Sequence, residues 1–205
     1  MDVKAIHIPV YLFLLKRPYH HGDLRAALLR AALTLIDEHG VKGLALSDAA
    51  RLAGVSVAAP YRHFKDKEAL LAEIAAEGFV IFRDELARSL QSNPKDNTKR
   101  LVEMGIAYVE FALQHRSHFK VMWDSGISKA DYPAVGEAAT EAYQLLEKAA
   151  TDLLPSAPPA RQKALVATAW SLVHGYATLA LAQELPDNQK LLRQSLHLLV
   201  DQFAT

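Results

Sequence analysis

The sequence predicts an all-α protein of about nine helices. Apolar residues recur every three or four positions along most of the chain, and no segment shows the alternation of a half-buried strand. Turns rich in Gly, Pro, Asn or Asp separate the periodic segments. The 205 residues are 51% hydrophobic and include no Cys, which is enough apolar content for a packed core. The absence of Cys excludes disulfides, thiolate nucleophiles and Cys-based metal centres.

The first predicted helix opens near Asp23 and ends at Gly40, which suits the left-handed position after a helix. Before it, residues 1–18 are expected to form a flexible arm. The apolar run at 6–15 is about half the length needed to span a bilayer, and no signal-peptidase site follows it. We therefore expect no membrane segment and a cytoplasmic location.

A pair of short helices follows, with a glycine turn between them. The first is predicted over about 46–53 and the second over about 57–63, with Ser56 as the N-cap of the second. Small residues on the first helix permit a steep, close crossing, and Gly54 permits the turn. Pro60 is expected to bend or tighten the start of the second helix. This spacing predicts a helix-turn-helix, a motif that inserts its second helix into the major groove of DNA.

Longer helices are predicted for the rest of the chain. Asp66 is the expected N-cap of the first of them. Their approximate bounds are 67–90, 98–115, 117–123, 134–152, 160–184 and 188–203.

Charge is distributed unevenly although the chain is neutral overall. Residues 16–67 contain nine Lys or Arg and five Asp or Glu, a net charge of +4, whereas residues 68–205 carry −4. A basic N-terminal part is typical of proteins that bind an anionic partner there.

The stretch from Tyr19 to about Phe79 resembles the DNA-binding region of TetR-type transcriptional regulators. The matching features are the Ala53–Ser56 turn and the run Tyr61–Phe64 followed by Lys65–Leu71. Residues 170–175, with Trp170, His174 and Gly175, resemble the Trp-x-x-x-His-Gly marker of one subgroup with a distinct C-terminal domain.

This resemblance implies a DNA-binding domain at 19–66 and a ligand-binding and dimerisation domain at 67–205. It also implies a homodimer, a double-stranded operator as partner, and a small organic effector. The candidate DNA-binding residues are Ser47, Ser56, Val57, Ala58, Ala59, Tyr61, Arg62, His63 and Lys67. The sequence departs from the family pattern at Ala45, where a Ser or Thr cap is usual, and in the apolar start of the recognition helix. Readout is therefore expected to use thymine methyl groups, Tyr61, Arg62 and DNA shape.

Aromatic and polar side chains in the second half are candidates for the effector pocket, because such ligands bind in apolar cavities with a few polar groups. The candidates are Tyr108, Phe111, Phe119, Met122, Trp123, Tyr143, Trp170 and His174. The last two predicted helices are apolar enough to need a partner as well as a core. The candidate interface residues are Leu165, Leu172, Leu179, Leu191 and Leu198. His115 and His118 could share one helical face, but no third ligand stands at matching spacing, so neither a metal nor a cofactor is expected.

The favoured function is a ligand-responsive, dimeric DNA-binding regulator, expected to be a repressor. One alternative is an enzyme that uses the C-terminal pocket, although the sequence contains no phosphate-binding loop, nucleophile elbow or zinc motif. The other is an interaction protein whose helix-turn-helix has lost DNA binding.

Overall fold

The computed structural model describes residues 24–92, 95–185 and 188–204, and every regular element in these ranges is helical. The eight α-helices are α1 (Leu24–Gly43), α2 (Leu46–Leu52), α3 (Lys67–Gln91), α4 (Asn97–Gln114), α5 (Arg116–Asp124), α6 (Pro133–Leu153), α7 (Pro159–Leu181) and α8 (Gln189–Ala204); a 3-10 helix covers Ala59–Arg62. The all-α prediction is confirmed. The predicted arm at 1–18, His20, His21 and the cap at Asp23 lie outside the described residues.

The predicted helix ends agree closely with the structure where the sequence supplies a physical signal. Gly40 interrupts α1 with φ 72° and ψ 172°, and only a short helical turn continues to Gly43. Asp66 caps α3, because its carboxylate accepts a 2.8 Å hydrogen bond from the backbone N–H of Ala69. Ala45 stands at the N-cap of α2 and makes no side-chain capping bond there, as its methyl group requires.

The N-terminal helices pack around side chains from all three segments. Leu28 and Ile36 of α1, Ala49 of α2 and Phe64 are at most 2% exposed, and they meet Leu70 at the start of α3. Small residues on α2 let it cross α1 closely. The result is a compact N-terminal corner held by the first two turns of α3.

The C-terminal helices surround α3 and α4. α3 packs against α4, α5 and α6, while α4 also packs against α7 and α8. Because α3 is 25 residues long, it extends from the N-terminal corner into the centre of this bundle. One buried apolar cluster runs through both regions.

Candidate DNA-binding surface and ligand cavity

The turn between the two short helical segments is built on Gly54. Its φ of 73° is in the left-handed region, which Gly adopts without the steric cost that a Cβ imposes. The N–H of Val55 then donates to the carbonyl of Ala50 at 3.0 Å, which closes the end of α2. This geometry directs the chain back across α2.

Pro60 and Phe64 anchor the second segment of the helix-turn-helix. Both are buried, whereas the residues between them face solvent. Val57 is 49% exposed and Tyr61 is 61% exposed, values well above those of ordinary apolar or aromatic residues in a folded domain. The exposed residues, which we call the recognition surface, are Ser56, Val57, Ala58, Tyr61, Arg62 and His63.

The second segment differs from its prediction in form. In place of an α-helix over 57–63, residues 57–58 form a turn and Ala59–Arg62 a 3-10 helix. Pro60 has no N–H and cannot make an α-type bond to Ser56, whose carbonyl instead accepts from Ala59 at 2.9 Å. The prediction of Ser56 as N-cap is wrong, because the capping position falls on Ala58 and has no side-chain bond.

The other candidate DNA-binding residues lie at the rim of the recognition surface. Ser47 and Ala59 are half-buried. Lys67 is also half-buried, and its Nζ donates to the carbonyl of Lys42 at the end of α1, at 3.3 Å. This hydrogen bond therefore joins the start of α3 to the end of α1. It uses one N–H of the Lys67 ammonium, and the other two N–H groups take no part in it.

A cavity of about 300 Å³ lies inside the C-terminal bundle, between α3, α4, α5, α6, α7 and α8. Four predicted pocket residues line it: Tyr108, Trp123, Tyr143 and Trp170. The main lining residues that sequence reasoning missed are Phe79, Phe82, Met104, Lys129, Val173 and Leu196. Most of these lie on regular apolar stripes, which are indistinguishable in sequence from ordinary core.

The four remaining pocket candidates do not line the cavity. Phe111, Phe119 and Met122 are between 0% and 8% exposed and belong to the packed core. His174 lies behind the cavity wall, where its Nδ1 and the hydroxyl of Tyr108 are 2.9 Å apart. His174 thus holds a lining residue in place and does not line the cavity itself.

Burial sets the ionisation of this Tyr108–His174 pair. Desolvation raises the pKa of Tyr108 far above its ordinary value. Desolvation also lowers the pKa of His174, and the nearby carboxylate of Asp124 partly opposes that change. Both groups are therefore neutral near pH 7, and the pair adds a hydrogen bond but no charge to the cavity wall.

One ammonium group lies at the edge of the cavity. The Nζ of Lys129 is 5.1 Å from the ring centroid of Phe79 and 5.5 Å from that of Trp123. Both rings line the cavity, and a cation over an aromatic face is attracted by the ring quadrupole. The buried indole N–H of Trp123 has no hydrogen-bond partner among the described residues.

The candidate interface residues on α7 and α8 divide into two groups. Leu165 is 0% exposed, so its assignment to the interface is wrong, because its side chain packs in the core of its own subunit. Leu172 is half-buried against the core. Leu179, Leu191 and Leu198 are exposed, Leu198 by 70%.

His115 and His118 contact different carboxylates. The Nε2 of His115 is 3.3 Å from Glu85, while that of His118 is 3.7 Å from Glu77. Within the described residues no group of three or more His, Asp or Glu is suited to a metal ion.

An exposed helix-turn-helix at the start of a long helix, followed by a helical bundle, defines the helix-turn-helix class of transcriptional regulators. Residues 28–74 match the family described as bacterial regulatory proteins, tetR family, and residues 101–203 match the tetracyclin repressor-like C-terminal domain. The chain belongs to the TetR family of transcriptional regulators, a family of DNA-binding proteins. The Trp-x-x-x-His-Gly subgroup remains a prediction.

Known proteins resemble this chain over most of its length. A protein of unknown function from Rhodococcus sp. RHA1 shares 31% identity, with a TM-score of 0.78 over 93% of this chain and 100% of the other. The uncharacterized HTH-type transcriptional regulator YobS of Bacillus subtilis strain 168 is 23% identical over 90% of this chain and 92% of its own. The transcriptional regulator FadR from Bacillus subtilis, solved in complex with stearoyl-CoA, has a TM-score of 0.70 at 16% identity, covering 85% of this chain and 96% of that one. At that identity the last similarity concerns the fold.

Proposed function

We propose that the protein is a dimeric repressor that leaves its operator when a small organic effector fills the cavity. Residues 19–66 are the DNA-binding domain in this proposal, and residues 67–205 bind the effector and the second subunit. A regulator of this kind acts in the cytoplasm, where bacterial DNA is found.

The observation that carries the proposal is the course of α3. Its N-terminus is capped by Asp66 beside the recognition surface, and Lys67 ties it to the end of α1. About three to five turns further on, Phe79, Phe82 and Leu86 line the cavity. A ligand that displaces these side chains acts on the helix that positions the helix-turn-helix, so one rigid element joins the two sites.

A second link runs through α5. The Oγ of Ser117 donates to the carbonyl of Leu33 in α1 at 2.9 Å. Trp123, on the same helix as Ser117, lines the cavity. Movement of α5 would therefore reach α1 as well as α3.

In the proposed operator contact, charged side chains supply the affinity for DNA and apolar side chains read part of its base sequence. Arg62 and His63 are exposed and suit phosphates, while Val57 and Ala58 suit thymine methyl groups. The net charge of +4 on residues 16–67 favours this face for DNA.

The proposed dimer uses the exposed faces of α7 and α8. α7 is long and apolar enough, by length and composition alone, to cross a membrane. It packs against α4, α6 and α8 in the bundle, and its remaining apolar surface includes Leu179. A Cβ placed on Gly175 would meet no atom within 4 Å in the single chain, which leaves room for a closely packed partner helix.

An apolar effector fits the character of the cavity. Its wall is mostly aromatic and aliphatic, and its size is at the small end of the range for ligand pockets. The stearoyl-CoA complex of the Bacillus subtilis FadR supports the idea that a bundle of this fold can accept an acyl chain.

Operator binding by the wild type and by Leu198→Glu tests the proposal. With DNA from the chain's own promoter, fluorescence anisotropy should give an affinity that falls on a log–log plot by about 0.9 per phosphate neutralised as salt rises. Leu198→Glu should sediment as a monomer and bind more weakly, because half-sites are read by linked subunits. Its side chain is exposed, so its folding should be unchanged. Salt-independent or absent DNA binding would refute the regulator mechanism, and an unchanged mass would refute this interface.

A further inference from the structure

The cavity is apolar except at one edge, and that edge carries hydrogen-bond donors. Lys129 supplies an ammonium, and its Nζ lies 5.5 Å from the ring centroid of Trp123. An ammonium placed over two aromatic rings at the edge of an apolar cavity favours a ligand that brings an anionic hydrogen-bond acceptor to that edge.

No described carboxylate forms an ion pair with Lys129. Glu137 and Glu141 line a shallow groove together with Lys129 and Thr140. Glu141 is already bound by Arg83 at 2.5 Å. The ammonium is thus the cation that remains available to a ligand at this edge, over two aromatic rings.

The groove outside the edge disfavours a large anionic group. A ligand that extended past Lys129 would run along Glu137, whose charge repels phosphate, and along Glu141, which is paired with Arg83. Like charges placed side by side discriminate against a wrong ligand as effectively as contacts favour the right one. The edge therefore suits one negative charge and not several.

The size of the cavity limits the apolar part. A volume of about 300 Å³ is at the small end of the range for pockets that bind small organic ligands, so the cavity favours a compact apolar body.

From these observations we propose that the effector is a free monocarboxylate whose apolar body fills the cavity and whose carboxylate binds the ammonium of Lys129. The inference rests on the proposed ligand control, but it separates this chain from a coenzyme A thioester sensor. A carboxylate is an acceptor only, which matches an ammonium that offers only donors.

Binding of four probes with the same alkyl chain tests the inference: decanoate, decan-1-ol, decylamine and decanoyl-CoA. The chain has two Trp residues, and both Trp123 and Trp170 line the cavity, so quenching of tryptophan fluorescence reports occupancy there. Titration calorimetry on the same samples supplies the affinities. For the wild type, we expect decanoate to bind at least about tenfold more tightly than each of the other three probes, because a charged hydrogen bond is worth more than a neutral one.

Lys129→Met is the decisive variant, because it keeps the length of the side chain and removes the charge. It should lose about tenfold or more in decanoate affinity and keep decan-1-ol affinity within about twofold. Retained decanol binding also shows that the variant is folded. Lys95→Met, at an exposed lysine in the turn before α4, is the matched control and should bind all probes as the wild type does.

Equal decanoate affinity in the wild type and Lys129→Met overturns the inference, as does tighter binding of decanoyl-CoA or the absence of binding by all four probes. Operator affinity without ligand is measured separately and depends on the recognition surface. If the protein binds its operator but does not prefer decanoate, only the proposal of a carboxylate effector is refuted. If the protein does not bind its operator, the proposed function is refuted.

Discussion

The N-terminal corner and the C-terminal bundle differ in how their side chains are packed. The corner packs Leu28, Ile36 and Phe64 tightly together and leaves Val57 and Tyr61 exposed on its surface. The bundle has abundant large side chains but leaves about 300 Å³ unfilled between them. The proposed DNA contact lies on the outside of the first region and the proposed effector site in the interior of the second, and the two regions should respond differently to the same kind of substitution.

The two regions differ in how they can accommodate an added side-chain atom. At Gly54 in the corner, the constraint is the backbone dihedral angle φ, and the open space around this residue does not relieve it. In the bundle, the backbone is regular helix and the constraint is contact between side chains, which can move into the cavity. Glycines in the two regions allow a direct comparison.

Gly54→Ala should give the largest loss of stability of the three predictions here. A Cβ at Gly54 would meet no atom within 4 Å, so the whole cost arises from its φ of 73°. Placing a non-Gly residue in this region costs about 1–2 kcal/mol, measurable by urea unfolding. Gly54→Asn is the control and should lose less, because Asn tolerates the left-handed region. Equal losses for Ala and Asn would show that backbone strain is not the cause.

The sequence predicted the corner better than the bundle. The glycine turn, the Asp66 cap and the break at Gly40 are local signals, since each depends on the conformation of one or two residues. The same local logic foresaw that Pro60 would tighten the second segment, although not that the result would be a 3-10 helix.

The cavity could not be located from sequence, because it is defined by missing contacts among six helices. Four of the predicted aromatic residues line the cavity, yet Phe111 and Phe119 pack in the core, and Phe79 and Phe82 of α3 line the cavity instead. Periodicity identifies the apolar side of a helix and gives no information on the distance to its neighbours. α7 is apolar nearly all round, and for this reason Leu165 was placed on the wrong side of it.

Gly105→Ala should have a smaller effect on stability and a clear effect on ligand binding. An added Cβ would lie 2.7 and 2.8 Å from the Cδ atoms of Leu196 and 3.3 Å from Val173. Overpacking in a filled core costs about 1–3 kcal/mol, but Leu196 and Val173 line the cavity and can yield into it. A better helix former also recovers up to about 1 kcal/mol.

We therefore expect a loss below about 1 kcal/mol for Gly105→Ala by urea unfolding, with decan-1-ol affinity reduced severalfold by calorimetry. Gly175→Ala is the matched control, since its Cβ meets open space in the single chain. It should leave decanol affinity unchanged. A full loss of about 3 kcal/mol with unaltered decanol binding would mean that the bundle is as rigid as the corner.

The smallest expected effect is the pH dependence contributed by His174. Burial lowers its pKa in the folded protein, so below the ordinary value of about 6.5 the unfolded chain binds a proton that the folded chain does not. The free energy of unfolding should therefore fall as the pH drops from about 7.5 to about 5. Burial lowers the pKa of His118 in the same direction, so the two histidines share this slope. His174→Gln should make the slope shallower without abolishing it, as measured by urea unfolding at each pH. An equal slope in the wild type and His174→Gln would show that the Tyr108–His174 pair is open to solvent, and the bundle would then resemble the corner in this respect.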